Sequence, residues 1–212
     1  MKTFTDAEQT LTGIYTAYMS SALYSGYLTL CPDIQADLVY AVQGNSNTLG
    51  THWRWDIRST NPEVEAVYAA LYKIIGRCNF YLDKVEELRA SLTDDDEIQY
   101  LDYYTGEVYC ARGLAYSELL RCFCKAYDPA TADKDLGLVI MDKFDLDNTP
   151  ERSDLKVTAD FVISTLKTVN TRVLSQSSSP MPKRQRLLSL PVLKRAKPYS
   201  LSATTIGKRR QK

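Results

Sequence analysis

The chain has 212 residues, 44% apolar and 25% charged, which is ordinary for a globular protein, and no stretch approaches the ~20 apolar residues of a membrane-spanning helix. Its formal net charge of zero hides a division: residues 171–212 hold 11 Lys or Arg and no Asp or Glu, so residues 1–170 carry a net charge of −11. A single histidine and an odd count of 5 cysteines exclude most His-dependent catalytic triads, a completed zinc-ligand set and a disulfide framework.

Thr5 and Glu8 have capping-box spacing, and Leu11, Ile14, Tyr15 and Tyr18 follow at helical intervals, so a first helix is predicted to about Tyr24. A connector rich in Gly, Asn and Ser then runs from Gly26 to Asn61. It contains Gly44-Asn45-Ser46-Asn47 and both tryptophans, in His52-Trp53-Arg54-Trp55. Connectors of that length inside a domain are often functional. Asn61 and Pro62 suit the cap and first position of a second helix, where Val67, Leu71, Ile74, Cys78, Leu82 and Val85 make one apolar stripe.

Thr93 is predicted to start a third helix, with Asp94, Asp95, Asp96 and Glu97 at its positive end. Its stripe runs through Ile98, Leu101, Val108, Ala111, Ala115, Leu119 and Cys122. Gly106 and Gly113 suit close approach by a neighbouring helix. The polar link between these helices is short, so they form an antiparallel αα-hairpin with the two stripes facing each other. An irregular stretch from Asp128 to Arg152 leads to a fourth helix capped by Ser153, with Val157, Phe161, Ile163 and Leu166 on its apolar face. Beyond Val169 no period survives among Ser, Pro and basic residues, and disorder is expected.

No nucleophile elbow, Walker loop, dinucleotide fingerprint or EF-hand spacing occurs, so neither an enzyme nor a cofactor or metal site is expected. Basic patches such as Pro182-Lys183-Arg184-Gln185-Arg186 could touch nucleic acid, but the acidic body would repel phosphate, and no nucleic-acid partner is expected. Trp53 and Trp55 remain. Two indoles in a polar loop can stack on pyranose rings, with Asn45, Asn47 and Arg54 supplying hydrogen bonds; equally, they can plug the loop onto the helices. The 15 tyrosines, all but Tyr199 within the first 127 residues, suit helix packing with wet edges as well as sugar surfaces.

Several segments together resemble the SusD/RagB family. Phe4-Thr5-Asp6-Ala7-Glu8 with Leu11-Thr12-Gly13-Ile14-Tyr15 looks like its first mature helix, and Asp33 to Asp37 with the Trp-bearing loop is similar to its next segment. Leu71-Tyr72-Lys73-Ile74-Ile75-Gly76-Arg77-Cys78-Asn79 resembles its l-Y-x-x-I-x-x-c-N run, with Tyr68 where Trp is usual. Gly106-Glu107, Arg112, Tyr116, Leu119, Arg121 and Phe123 fit its Gly-Glu-to-Phe helix, and Pro150-Glu151-Arg152-Ser153 through Lys167 fits the helix after it.

The resemblance spans about residues 4–168. It implies an all-α fold of TPR-like antiparallel helical pairs with long loops, and a surface lipoprotein of the outer membrane. It also implies capture of oligosaccharides or other nutrients for a SusC-like TonB-dependent transporter, without catalysis. The expected organisation is a partial SusD-like helical domain over 1–170 and a disordered basic tail over 171–212, the tail being an out-of-frame translation of a longer protein. Met1-Lys2-Thr3-Phe4-Thr5-Asp6 shows no apolar leader. Taken literally, that pattern leaves a cytoplasmic TPR-type scaffold as the alternative, with nucleic-acid binding through the tail as the other.

Overall fold

A computed structural model describes residues 1–40, 42–44, 46–145 and 147–174. In chain order these form α1 (Phe4–Tyr18), α2 (Tyr27–Gln35), α3 (Gly50–Trp53), α4 (Pro62–Ser91), α5 (Asp95–Phe123), β1 (Leu136–Val139), β2 (Arg152–Asp154) and α6 (Leu155–Leu174). The capping box of α1 lies two residues upstream of the expected Thr5–Glu8 pair. Thr3 Oγ1 accepts from the Asp6 amide at 3.2 Å, while Asp6 Oδ2 accepts from the Thr3 and Lys2 amides at 3.0 and 2.8 Å. Both pairs have the right chemistry, and packing chooses between them: starting at Phe4 stacks that ring on Tyr104 at 5.7 Å. The helix also stops at Tyr18 rather than near Tyr24, and the supposed connector holds α2 and α3.

α4 and α5 form the expected antiparallel hairpin. Near the link between them, Arg89 of α4 makes a two-pronged contact with Asp102 of α5 (3.0 and 3.2 Å); further from it, Asn79 Oδ1 accepts from Arg112 Nη1 at 3.0 Å. Residue numbers falling along one helix as they rise along the other define that direction. Along this pair Leu71, Ile74, Cys78, Val108, Ala115 and Leu119 are fully buried and Ala111 nearly so, with Leu82 at the edge of the same core. Tyrosine tips bolt the first helix and its following turn onto this pair. Tyr15 donates to Glu107 Oε2 (2.6 Å), Tyr18 to the Ala111 carbonyl (2.6 Å) and Tyr24 to Glu118 Oε1 (2.9 Å). Tyr18 is buried and Tyr15 and Tyr24 partly so, each with its hydroxyl satisfied, which is the packing role open to a Tyr-rich sequence.

The stretch after α5 is less irregular than the sequence suggests. β1 and β2 pair antiparallel, with Leu136 opposite Asp154 and Val139 opposite Arg152. Asp154, not Ser153, caps α6, accepting from the Val157 amide at 2.7 Å. The buried face of α6 also differs from the expected one. Leu155, Thr158, Val162, Thr165 and Val169 point inward, whereas Val157 and Ile163 are 48% and 50% exposed. Thr158 can be buried because its hydroxyl donates to the Asp154 carbonyl (2.8 Å) and accepts from the Leu138 amide (3.0 Å). Phe161 still packs, edge-on to Tyr116 at 5.2 Å, and Leu166 covers Gly113. α6 continues past Val169 to Leu174. The expected disorder of the tail from residue 175 onward lies outside the described residues.

Gly137 is where β1 and α6 meet most tightly. A Cβ there would sit 2.2 Å from Thr158 Oγ1 and 2.4 Å from the Asp154 carbonyl oxygen. Backbone cannot swing aside as a side-chain tip can. Gly137→Ala is therefore expected to lower stability by about 1–3 kcal/mol, read as a lower urea midpoint with an unchanged slope. An unchanged midpoint would show that the hairpin yields freely at this point.

Candidate functional site

The tryptophan loop is built by local hydrogen bonds around a buried histidine. His52 is 3% exposed, and the short helix α3 places Trp53 and then Trp55 outward, at 49% and 58% exposure. Asn47, Leu49 and Trp55 all have left-handed backbone, with φ of 58°, 56° and 59°. Such conformations are unfavourable for bulky residues and persist where the surroundings enforce them, often at functional surfaces. Here the Trp53 amide donates to the Leu49 carbonyl (3.2 Å), that of Trp55 to His52 (3.2 Å) and that of Asp56 to Thr51 (2.9 Å).

Arg54 Nη1 donates to Asn47 Oδ1 at 2.8 Å, so these two site candidates are joined to each other. Gly50 makes that bond possible, since a Cβ there would lie 2.1 Å from Asn47 Oδ1. The two indoles share the loop but make no ring-to-ring contact among the described residues. Asn45 lies outside those residues. The loop thus presents two separate aromatic surfaces beside a fixed guanidinium–amide pair, a donor and acceptor set suited to the faces and hydroxyls of sugars.

A second aromatic surface is not foreseen from the sequence. Tyr68, Tyr72 and Phe144 line an open groove of about 340 Å³ with Met141, Lys143 and Asp145 at its margin. Its wall is the segment 139–144, strapped across α4 and α5 by polar side chains, of which Asn79, Arg112 and Tyr116 are buried. Asn79 Nδ2 donates to the Met141 and Lys143 carbonyls (2.8 and 3.2 Å), Arg112 to the Asp142 carbonyl (3.3 Å) and Tyr72 to the Val139 carbonyl (2.9 Å). Tyr116 Oη accepts from the Met141 amide at 2.7 Å, and Asp83 Oδ2 from that of Phe144 at 2.9 Å. Tyr68 and Tyr72, one helical turn apart with ring centroids 4.8 Å from each other, were the available signal.

Burial pushes the Cys78 thiol up to about 12 and those of Cys31 and Cys110 to about 11, which keeps them protonated and poor nucleophiles. Among the described residues no group of three or more His, Cys, Asp and Glu side chains is placed to hold a metal ion, and no helix is long and apolar enough to cross a membrane.

Burial also raises the Glu107 carboxyl above its ordinary 4.5, with the Tyr15 hydroxyl acting in the opposite sense. A raised carboxyl favours the protonated native state, so its contribution is complete below about pH 4.5 and lost as pH climbs through the folded value. Glu107→Gln keeps an acceptor for Tyr15 without the charge. Its melting temperature is expected to match the wild type near pH 4 and exceed it at pH 7, and the opposite trend would refute the assignment.

Residues 1–186 match the family SusD-like 3, described as starch-binding associating with outer membrane. The match reaches further than the motifs between residues 4 and 168. No curated protein sequence matches the chain. Among solved structures, a candidate sugar-binding protein of Bacteroides vulgatus ATCC 8482 is similar at 28% identity and a TM-score of 0.66, with 80% of this chain and 37% of that one covered. A SusD superfamily protein from the same organism shares the fold at 20% identity and a TM-score of 0.70, over 92% of this chain and 43% of its own. Another, from Bacteroides thetaiotaomicron VPI-5482, gives 20% identity and a TM-score of 0.67, with 80% and 37% covered. The chain therefore spans roughly two fifths of the length of these structures.

Proposed function

Because the chain belongs to the SusD-like family, we propose that it serves carbohydrate capture at the bacterial cell surface, binding oligosaccharide by aromatic stacking and hydrogen bonding and performing no chemistry on it. In this reading it works with a SusC-like TonB-dependent transporter of the outer membrane, which takes the captured sugar onward. The observation that carries the reading is the tryptophan loop: two exposed indoles, Trp55 on left-handed backbone, beside the Arg54–Asn47 pair. Exposed aromatic area is costly to leave in water, and a sugar's C–H face covers it while its hydroxyls meet polar neighbours. The sugar-binding description of a 28%-identical structure supports the same ligand class.

A glycan array probed with the purified chain tests the proposal. Saturable binding to oligosaccharides of one linkage type is expected, with isothermal titration giving the same preference. Equal, unsaturable signal across the array, or none, would sink it. Gly50→Ala gives a finer check, because it should break the Asn47–Arg54 bond and weaken binding about tenfold without touching either indole.

A further inference from the structure

A second groove, of about 360 Å³, lies between the end of α5 and the β-hairpin and is lined by Phe123, Lys125, Lys134, Asp135 and Arg152. Its charge runs against the rest of the molecule. Residues 1–170 carry −11, yet these five side chains include three cations and one carboxylate. The carboxylate is already engaged: Asp135 contacts the Lys125 ammonium and accepts from the Thr131 hydroxyl at 2.7 Å. Lys134 has no partner among the described residues. Arg152 is held in place through its Nε, which donates to the Gly137 carbonyl at 2.8 Å, and its guanidinium also lies against the Cys124 thiol of the same groove.

With its one carboxylate already engaged, the groove presents cationic side chains to solvent, where they can meet a negative group. Its aromatic wall adds a second property, since Phe123 meets Tyr68 edge-to-face at 5.0 Å, and Tyr68 belongs to the neighbouring groove. One aromatic ridge thus links a largely apolar trough to a cationic one.

We infer that this groove is an anionic-sugar subsite, in which Lys134 and Arg152 hold a carboxylate or sulfate of an acidic oligosaccharide while an adjacent ring rests on the Phe123–Tyr68 ridge. The inference rests on the sugar-capture reading and adds a ligand class to it. Arg152 supplies a fixed fork for a planar or tetrahedral oxyanion, and Lys134 a mobile point charge.

The test is titration of the full chain with a galacturonate hexamer, a sulfated galactan hexamer and maltohexaose, at 50 and 200 mM NaCl. One acidic hexamer is expected to bind about tenfold more tightly than the neutral one at low salt and to lose most of that advantage at high salt. Which of the two does so identifies carboxylate or sulfate as the group held. Lys134→Ala, at an exposed and unpartnered position, should cost about fivefold or more toward that hexamer and nothing toward maltohexaose. Equal affinity for acidic and neutral hexamers overturns the subsite while leaving sugar capture standing; absence of binding to all three overturns both. Tight acidic binding that survives both Lys134→Ala and Arg152→Gln also overturns it, placing the attraction in the basic residues 171–212.

Discussion

Arg112→Ala is expected to lower the stability of the chain by about 2–5 kcal/mol, the largest effect of any single substitution considered. The residue is 8% exposed; its Nη1 donates to the Asn79 amide oxygen at 3.0 Å and the Asp142 carbonyl at 3.3 Å, and the guanidinium lies over the rings of Tyr109 and Phe161 at 5.1 and 5.7 Å. Alanine removes all four contacts, opens a cavity between α5 and α6, and leaves Asn79 with a buried acceptor and no donor. Lysine should not restore the loss, because an ammonium lacks the flat guanidinium that lies over Tyr109 and Phe161 while its Nη1 donates to Asn79 and Asp142. Asn79→Ala should be nearly as damaging, and the double variant less damaging than the sum, since the two side chains share one bond. Equilibrium urea unfolding of the four proteins measures the cycle. A loss under about 0.5 kcal/mol for Arg112→Ala would mean that the strap over residues 139–144 stands without it.

Replacing both Trp53 and Trp55 with alanine is expected to weaken oligosaccharide binding about a hundredfold. Stacking on an aromatic ring is worth about 1–3 kcal/mol by alanine substitution, roughly tenfold or more for each indole, and two non-touching rings should contribute almost independently. The fold should tolerate the change, because both side chains are about half exposed and the buried anchor of the loop is His52. Isothermal titration with the best ligand from the array reads the affinity, and circular dichroism checks the helices. If the double variant binds as tightly as the wild type, the ligand surface lies elsewhere, and the Tyr68, Tyr72 and Phe144 groove becomes the first place to look.

These two regions differ in how far the sequence revealed them. The tryptophans were legible because exposed-looking indoles among Gly, Asn and Ser are unusual, whatever their surroundings. That Arg54 turns toward Asn47 was not legible, since it depends on the left-handed backbone at Asn47 and on the missing Cβ at Gly50. Asn79 and Arg112 were marked only by family resemblance. Nothing local in a helix indicates that an asparagine and an arginine 33 residues apart will meet and clamp a distant loop. The Tyr68 groove was missed for a similar reason: its far wall comes from residues 139–145, which carry no periodic signal of their own.

By itself the sequence determined the α4–α5 hairpin, because a stripe repeating every three or four residues buries in only one way once the link is short. It also determined the absence of catalytic and metal-binding signatures from the chain, and the family, through motifs whose order matters more than any one of them. Only the tertiary structure decided the cap of α1, the face of α6 and the β-hairpin. At Thr3 and Thr5 the capping chemistry is the same, and Phe4 packing breaks the tie. Along α6 hydrophobicity alone chose Val157 and Ile163, whereas hydrogen bonds to the Asp154 carbonyl and from the Leu138 amide make Thr158 the buried residue. Strands of 4 and 3 residues exist only because they meet each other. Periodic burial is written into neighbouring residues and can be read locally; a partner supplied from far along the chain cannot, because its energy appears only when the two segments are brought together.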